Sequence, residues 1–211
     1  MHRNRLEKLI QEKSEEEDSK DLPFLQSLKS NLEKWGNLTE KQVKAMERIE
    51  YLSSPEGKQA VAMWHKSYAS DHRHDAVICA HYYLANPPYF NDLATKIVTQ
   101  EGFVPTEKQY MAMCQNKYTK RVLRESRAKA AYGKGDIVQV RNASSLPYTL
   151  YSLRGKPCVV INNDTGRITT HAQGAKIYKI LPFGSSTVTH CQERYLKNFK
   201  APSEQKGEKN E

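Results

Sequence analysis

Lys117, Lys120, Arg121 and Arg124 stand at positions i, i+3, i+4 and i+7, and Arg127 and Lys129 continue the series with Glu125 as the one acid among them. On an α-helix that spacing places the first four on one face. A row of cations on a rigid rod matches a phosphate backbone, because each neutralised phosphate releases condensed counterions. A solvated helix face has the same pattern. The basic segment that follows favours phosphate.

A second set is spread over the last third of the chain. Arg141, Arg154, Lys156, Arg167, Lys176 and Lys179, with Arg194 and Lys197, interleave with Tyr148, Tyr151, Tyr178 and Phe183. Rings beside cations stack bases while the charges hold phosphate. Tyr178 and Phe183 also read as fillers of a small core, Phe183 preferentially so. Tyr148 and Tyr151 divide evenly between loop packing and base stacking.

Other chemistry has less behind it. His65, His72, His74 and His81, near Cys79, lack the tight spacing of zinc sites, so no metal and no cofactor is expected. Cys191 follows His190 and Cys158 falls in a β-rich run, but catalytic pairs are made in space. The chain has no G-x-S-x-G, H-E-x-x-H, G-K-S/T or G-x-G-x-x-G motif,. Asp71 and Asp75 sit at ordinary charge density. The expectation is a protein without enzymatic activity.

The elements that must position these residues are helical first and β-rich later. Leu6, Leu9 and Ile10 suggest a short amphipathic helix ahead of the acidic run Glu15–Asp18, so residues 1–22 read as a charged leader. Pro23, Phe24, Leu25, Leu28 and Leu32 predict a helix ended by Gly36. Thr39 and Gln42 form a capping-box pair ahead of Val43, Met46, Ile49 and Leu52,. The device recurs: Pro88, Tyr89, Leu93 and Ile97, then Gly102, then Thr106-Glu107-Lys108-Gln109. We read a duplicated helix-turn-helix hairpin, about 23–52 and 88–124, within a helical domain over 23–131. Two helices are expected between the copies, one over Glu56–Ala69 and one capped near Ser70 or Asp71. The helix from Thr106 is expected to reach about Ala131. Trp35 and Trp64 are expected in cores.

From Asp136 the period changes to that of strands, expected at 136–141, 157–162, 167–171, 175–181 and 187–190, with a turn at 162–166 and one helical turn between Glu193 and Phe199. Five short strands in a domain over 133–199 predict a small curled barrel. Residues 200–211 read as a disordered tail.

Charge follows the same division. The net charge is +9. Residues 106–131 hold seven Lys/Arg against two Asp/Glu, and residues 132–200 hold ten against three. No run approaches the ~20 apolar residues of a membrane span, and an acidic run follows the basic start, so no membrane association and a cytoplasmic location are expected. The four cysteines are far apart in sequence and read as buried free thiols.

Gly135-Asp136-Ile137-Val138-Gln139-Val140-Arg141, followed by Leu153-Arg154-Gly155-Lys156-Pro157-Cys158-Val159-Val160-Ile161, resembles an SH3-like barrel of the KOW type. This sequence departs from that pattern at Cys158, where a second glycine is usual, and in the longer Asn142–Ser152 loop. The resemblance implies a role near transcription or translation. The duplicated hairpin is similar to modules of uncharacterised phage DNA-metabolism proteins. The fold class expected is α+β: an N-terminal helical domain with a duplicated hairpin, then a five-stranded SH3-like barrel. The function expected is a nucleic-acid-binding accessory protein in replication, recombination or transcription, DNA or RNA being open, with a possible protein partner in such a complex. The alternative is an adapter on a larger machine such as RNA polymerase or the ribosome.

Overall fold

The structure is a computed structural model that describes residues 2–16, 19–163 and 167–200. The tail after Lys200, two acids of the leader and part of the turn at 162–166 lie outside the described residues. The chain is α+β and forms two compact units, residues 1–70 and 71–211.

The first unit is helical: α1 (His2–Ser14), α2 (Leu22–Trp35), α3 (Glu40–Ser53) and α4 (Pro55–Ser67). Leu6 and Leu9 of α1, Leu25 and Leu28 of α2, and Met46 and Ile49 of α3 close one core. The segment read as a charged leader therefore contributes a helix. A helix this short is marginal alone in water and is held by packing its apolar stripe. Gly36, at φ 73°, ends α2 and donates its N–H to the Leu32 carbonyl. Thr39 and Gln42 close a reciprocal capping box on α3. Trp35, expected inside, is 68% exposed. It is the last residue of α2, beyond the core-forming turns, and the Lys34 ammonium lies 5.0 Å from its ring centre.

A π-helical turn, Tyr68–His72, carries the chain across the division. The second unit then holds α5 (Arg73–Leu84), α6 (Asn91–Thr99), α7 (Glu107–Cys114) and α8 (Lys117–Arg127). Helices α6, α7 and α8 all pack on α5. The long helix expected from Thr106 is broken at Asn116. The Asn116 side-chain oxygen accepts from the Tyr118 and Thr119 N–H groups and starts α8 afresh,. Thr106 carries the same reciprocal capping box as Thr39. The helices that follow those boxes differ, α3 having 14 residues and α7 having 8. Pro23 sits in the first turn of α2, whereas Pro88 lies in the turn before α6.

Five strands follow: β1 (Ile137–Val140), β2 (Pro157–Asn162), β3 (Ile177–Pro182), β4 (Thr189–Gln192) and β5 (Leu196–Asn198). They form an open antiparallel sheet in the order β4-β3-β2-β1-β5. Val138, Val140, Cys158, Val160, Tyr178, Ile180, Cys191 and Leu196 face one core. The sequence expectations for this region hold unevenly. Residues 167–171 form no strand, because Asn86 of the α5–α6 loop donates to the Thr169 carbonyl at 2.8 Å and the Tyr82 hydroxyl meets His171. The helical turn expected between Glu193 and Phe199 is the 3₁₀ turn at Glu193–Tyr195, and residues 196–198 beyond it pair with β1 as a strand the sequence did not suggest. Phe183, expected in the core, is 54% exposed in the turn after β3.

The division at Ser70/Asp71 places α5–α8 with the sheet, whereas the sequence suggested a boundary near residue 131. Two contacts tie α8 to the segment before β3: the Gly174 N–H donates to the buried Glu125 carboxylate at 2.8 Å, and the Lys176 ammonium donates to the Ser126 carbonyl at 3.0 Å.

Candidate nucleic-acid interface

Helix α8 sorts its residues sharply. Thr119, Val122, Leu123 and Glu125 are buried. Lys117, Lys120, Arg121, Arg124 and Arg127 are all exposed, as is Lys129 two residues beyond the helix end. The apolar residues recur at helical spacing against α5, so the cations must face outward. Glu125, the helix's single acid, turns inward to accept the Gly174 N–H, which removes it from the cationic face. Arg127 pairs with Asp75 of α5. Lys120, Arg124 and Arg127 line a shallow groove of about 480 Å³ with Leu123 and Ala128. Arg124 and Arg127 also occupy the last turn, where the helix dipole favours cations.

Arg167 and Lys176 meet elsewhere. With His74 and Ile78 of α5, Ser126 of α8 and Asn163, they border a pocket of about 250 Å³. The Lys176 ammonium satisfies a last-turn carbonyl of α8. Burial, with the charge of Arg167 added, holds His81 below the ordinary histidine range.

The β1–β2 loop makes a third group. It carries a 3₁₀ turn, Tyr148–Leu153, anchored by Leu150 in the core. Tyr148 is 86% exposed and its ring centre lies 5.5 Å from that of Tyr151. The Arg154 guanidinium sits 4.2 Å over the Tyr151 ring. Tyr148, Tyr151 and Arg154 therefore form one exposed cluster, the two rings tilted 60° to each other, with Lys156 exposed just beyond it. The remaining residues of the predicted set stand apart. Arg141 donates from Nε to the Leu196 carbonyl at 2.7 Å and so helps seat β5. Lys179 lies half-buried on β3 opposite His190.

The cysteines are buried free thiols. Burial pushes the Cys191 thiol up to about 12 and raises that of Cys158. A hydrogen bond with Cys114, and burial, raise Cys79. Thiols so held stay protonated near neutral pH and are poor nucleophiles. Among the described residues, no group of three or more His, Cys, Asp or Glu is placed to hold a metal ion, and no helix is long and apolar enough to cross a membrane.

Sequence reasoning missed the α5 contribution to the Arg167–Lys176 pocket. It also missed a concave aromatic surface built from Tyr82, Tyr83, Tyr89, Phe90 and Tyr118. A signal for the latter was present, since four rings fall within residues 82–90 around Pro87-Pro88. The helix-start pattern of Pro88 and Tyr89 drew that run into a different reading. The sequence matches no known family model and no curated protein, and no solved structure matches it.

Proposed function

We propose that this chain binds nucleic acid without performing chemistry on it, as an accessory protein of replication, recombination or transcription, in a phage or a cellular setting. The observation that carries this reading is the exposed face of α8, where five cations are presented and the single acid is folded inward. The Tyr148–Tyr151–Arg154 cluster adds a base-stacking platform of sequence-tolerant type. In this reading the sheet is an SH3-like barrel of the KOW type. Its antiparallel order, with a 3₁₀ turn feeding the last strand back against the first, supports that assignment. The matching capping boxes at Thr39 and Thr106 support a duplicated hairpin. The proposed location is the cytoplasm.

The test is equilibrium binding of a labelled oligonucleotide between 50 and 200 mM salt. Five phosphate contacts predict a log–log slope near −4.5 on a duplex and near −3.5 on a single strand, affinity losses of roughly 500-fold and 130-fold over that range. No binding at the low-salt end, or a slope near zero, would overturn the reading. One observation favours the adapter alternative: Ile137, Val159 and Leu181 are cross-strand neighbours on the face away from the core, and Ile137 is 47% exposed. A stoichiometric protein partner, such as RNA polymerase or the ribosome, retained after nuclease treatment would decide for it.

A further inference from the structure

The second unit also holds an aromatic surface away from the charged groups above. It is a pocket of about 520 Å³ between the end of α5, the α5–α6 loop and the start of α8. That volume falls in the range of about 300–1,000 Å³ typical of small-ligand sites. Its floor is an aromatic pair, Tyr82 and Tyr83, both 6% exposed, with ring centres 5.1 Å apart. Phe90 walls it, 4.9 Å from Tyr83. Tyr89, 73% exposed, and Tyr118, 42% exposed, stand at the rim.

Three features say what such a site would take. The first is charge. No carboxylate lines the pocket, and the Lys117 ammonium lies 5.0 Å from the Tyr118 ring centre. Aromatic cages for quaternary ammonium groups gain from ring faces turned to a cation, and the Lys117 ammonium already beside the Tyr118 ring opposes that use. A planar ligand carrying an anion is favoured instead. The second is polarity at the edges. The Tyr83 hydroxyl accepts from Asn116 Nδ2 at 2.8 Å and keeps its own proton to give. Asn86 gives its amide hydrogens to the Tyr82 and Thr169 carbonyls, which leaves its side-chain oxygen as an acceptor. The pocket thus presents a donor and an acceptor beside stacking faces, which suits the edge of a heterocycle. The third is backbone conformation. Phe90 holds φ 54°, the one non-glycine positive φ among the described residues, and strain of that kind gathers at binding sites,.

We infer that this pocket receives an unpaired nucleobase, its phosphate resting toward Lys117 and the cationic face of α8. The inference rests on the nucleic-acid reading above and deepens it by naming the form of ligand: a single strand, whose bases are free to leave the stack. A duplex keeps its bases stacked and would engage the α8 cations alone.

The experiment compares three probes of equal length at fixed salt: a single strand bearing 2-aminopurine at its centre, the same strand with an abasic centre, and a duplex. Tyr89→Ala and Tyr118→Ala are measured beside the unaltered chain, with thermal unfolding to confirm that each variant folds; Tyr118→Phe keeps the ring. The expected result is quenching of 2-aminopurine on binding. Each alanine variant should lose about 5–150-fold in single-strand affinity, the range for one lost stacked base, with duplex affinity and salt slope unchanged and Tyr118→Phe near the unaltered chain. Equal affinity for base-bearing and abasic strands, or equal losses on duplex, would overturn the pocket assignment and leave phosphate binding standing. Failure of all three probes to bind would end the nucleic-acid reading together with this inference. Calorimetric binding of a proline-rich or trimethyl-lysine peptide, lost in the same variants, would reassign the pocket to protein recognition.

Discussion

In residues 1–70 five of the twelve lysines and arginines have an acid partner among the described residues. Arg5 reaches Glu47 and Glu50, Lys8 reaches Glu12, Lys29 reaches Glu7 and Lys44 reaches Glu40. Lys13, nearly buried, has its ammonium held by Glu16 at 2.7 Å. On α8 the same residue types stand along one helix face, yet among the described residues Arg127 alone has an acid partner, Asp75. The difference lies in where the acids went. In the first unit they lie on the same surfaces as the cations. In α8 the one acid is spent indoors on the Gly174 N–H. Surface ion pairs contribute little to stability, about 0–1 kcal/mol each. The pairing therefore matters less for folding than for the field each surface presents: the first is partly neutralised by its own acids, while α8 keeps four of its five cations without an acid partner among the described residues,.

That contrast is breakable. The largest effect is expected from Lys120→Ala, Arg121→Ala and Arg124→Ala combined. Three lost contacts should lower oligonucleotide affinity several hundredfold near 0.1 M salt and flatten the salt slope by about 3. Arg5→Ala with Lys44→Ala, measured in the same titration, should change neither. Equal losses from both sets would mean that net charge alone, and not the unpaired face, governs binding.

Glu125→Ala sharpens the role of the inward acid. It leaves the Gly174 N–H, in a buried residue, without its acceptor, at about 1–3 kcal/mol. For a chain of this size that is roughly 2–4 °C of melting temperature for each kcal/mol. Calorimetry should show that fall while the salt slope stays as it was, because the exposed cations are untouched. An altered slope with no change in melting would show that Glu125 acts on the face and not on the fold.

The smallest effect concerns the first unit. The hydrogen bond from Arg5 holds the Glu50 carboxyl below its usual range. A depressed carboxylate contributes stability above its ordinary titration range and loses it as pH falls through the lowered value. Both partners are more than a third exposed or close to it, so solvent screening limits the contribution to a few tenths of a kcal/mol. Acid unfolding of the unaltered chain and of Glu50→Gln should differ slightly at neutral pH and converge at low pH. A gap that widens on acidification would contradict the sign.

Local patterns with a short physical range were readable before any coordinates. Thr39 with Gln42 and Thr106 with Gln109 specify caps whose partners lie three residues away. The cationic periodicity of α8 needed only the helix repeat. Features that depend on distant partners were not readable. The Asn116 cap that splits α7 from α8 is an exception, since its partners lie two and three residues on; it was passed over because the surrounding pattern reads as one continuous helix. The stretch 167–171 has strand-like composition, and only Asn86 and Tyr82, more than eighty residues earlier, divert it from the sheet. The Tyr148–Tyr151–Arg154 cluster lay between two readings until the loop's anchoring by Leu150 put its rings outside.

What the sequence determined by itself is the α+β order of elements, the caps and the presence of a cationic helix face, because each follows from interactions within about one turn or one strand. Tertiary structure decided which charges stand alone, where the compact units divide and that rings from α5, its loop and α8 enclose one pocket. Those outcomes depend on which side chain meets which across tens of residues, and a linear pattern of residue types does not encode that choice locally.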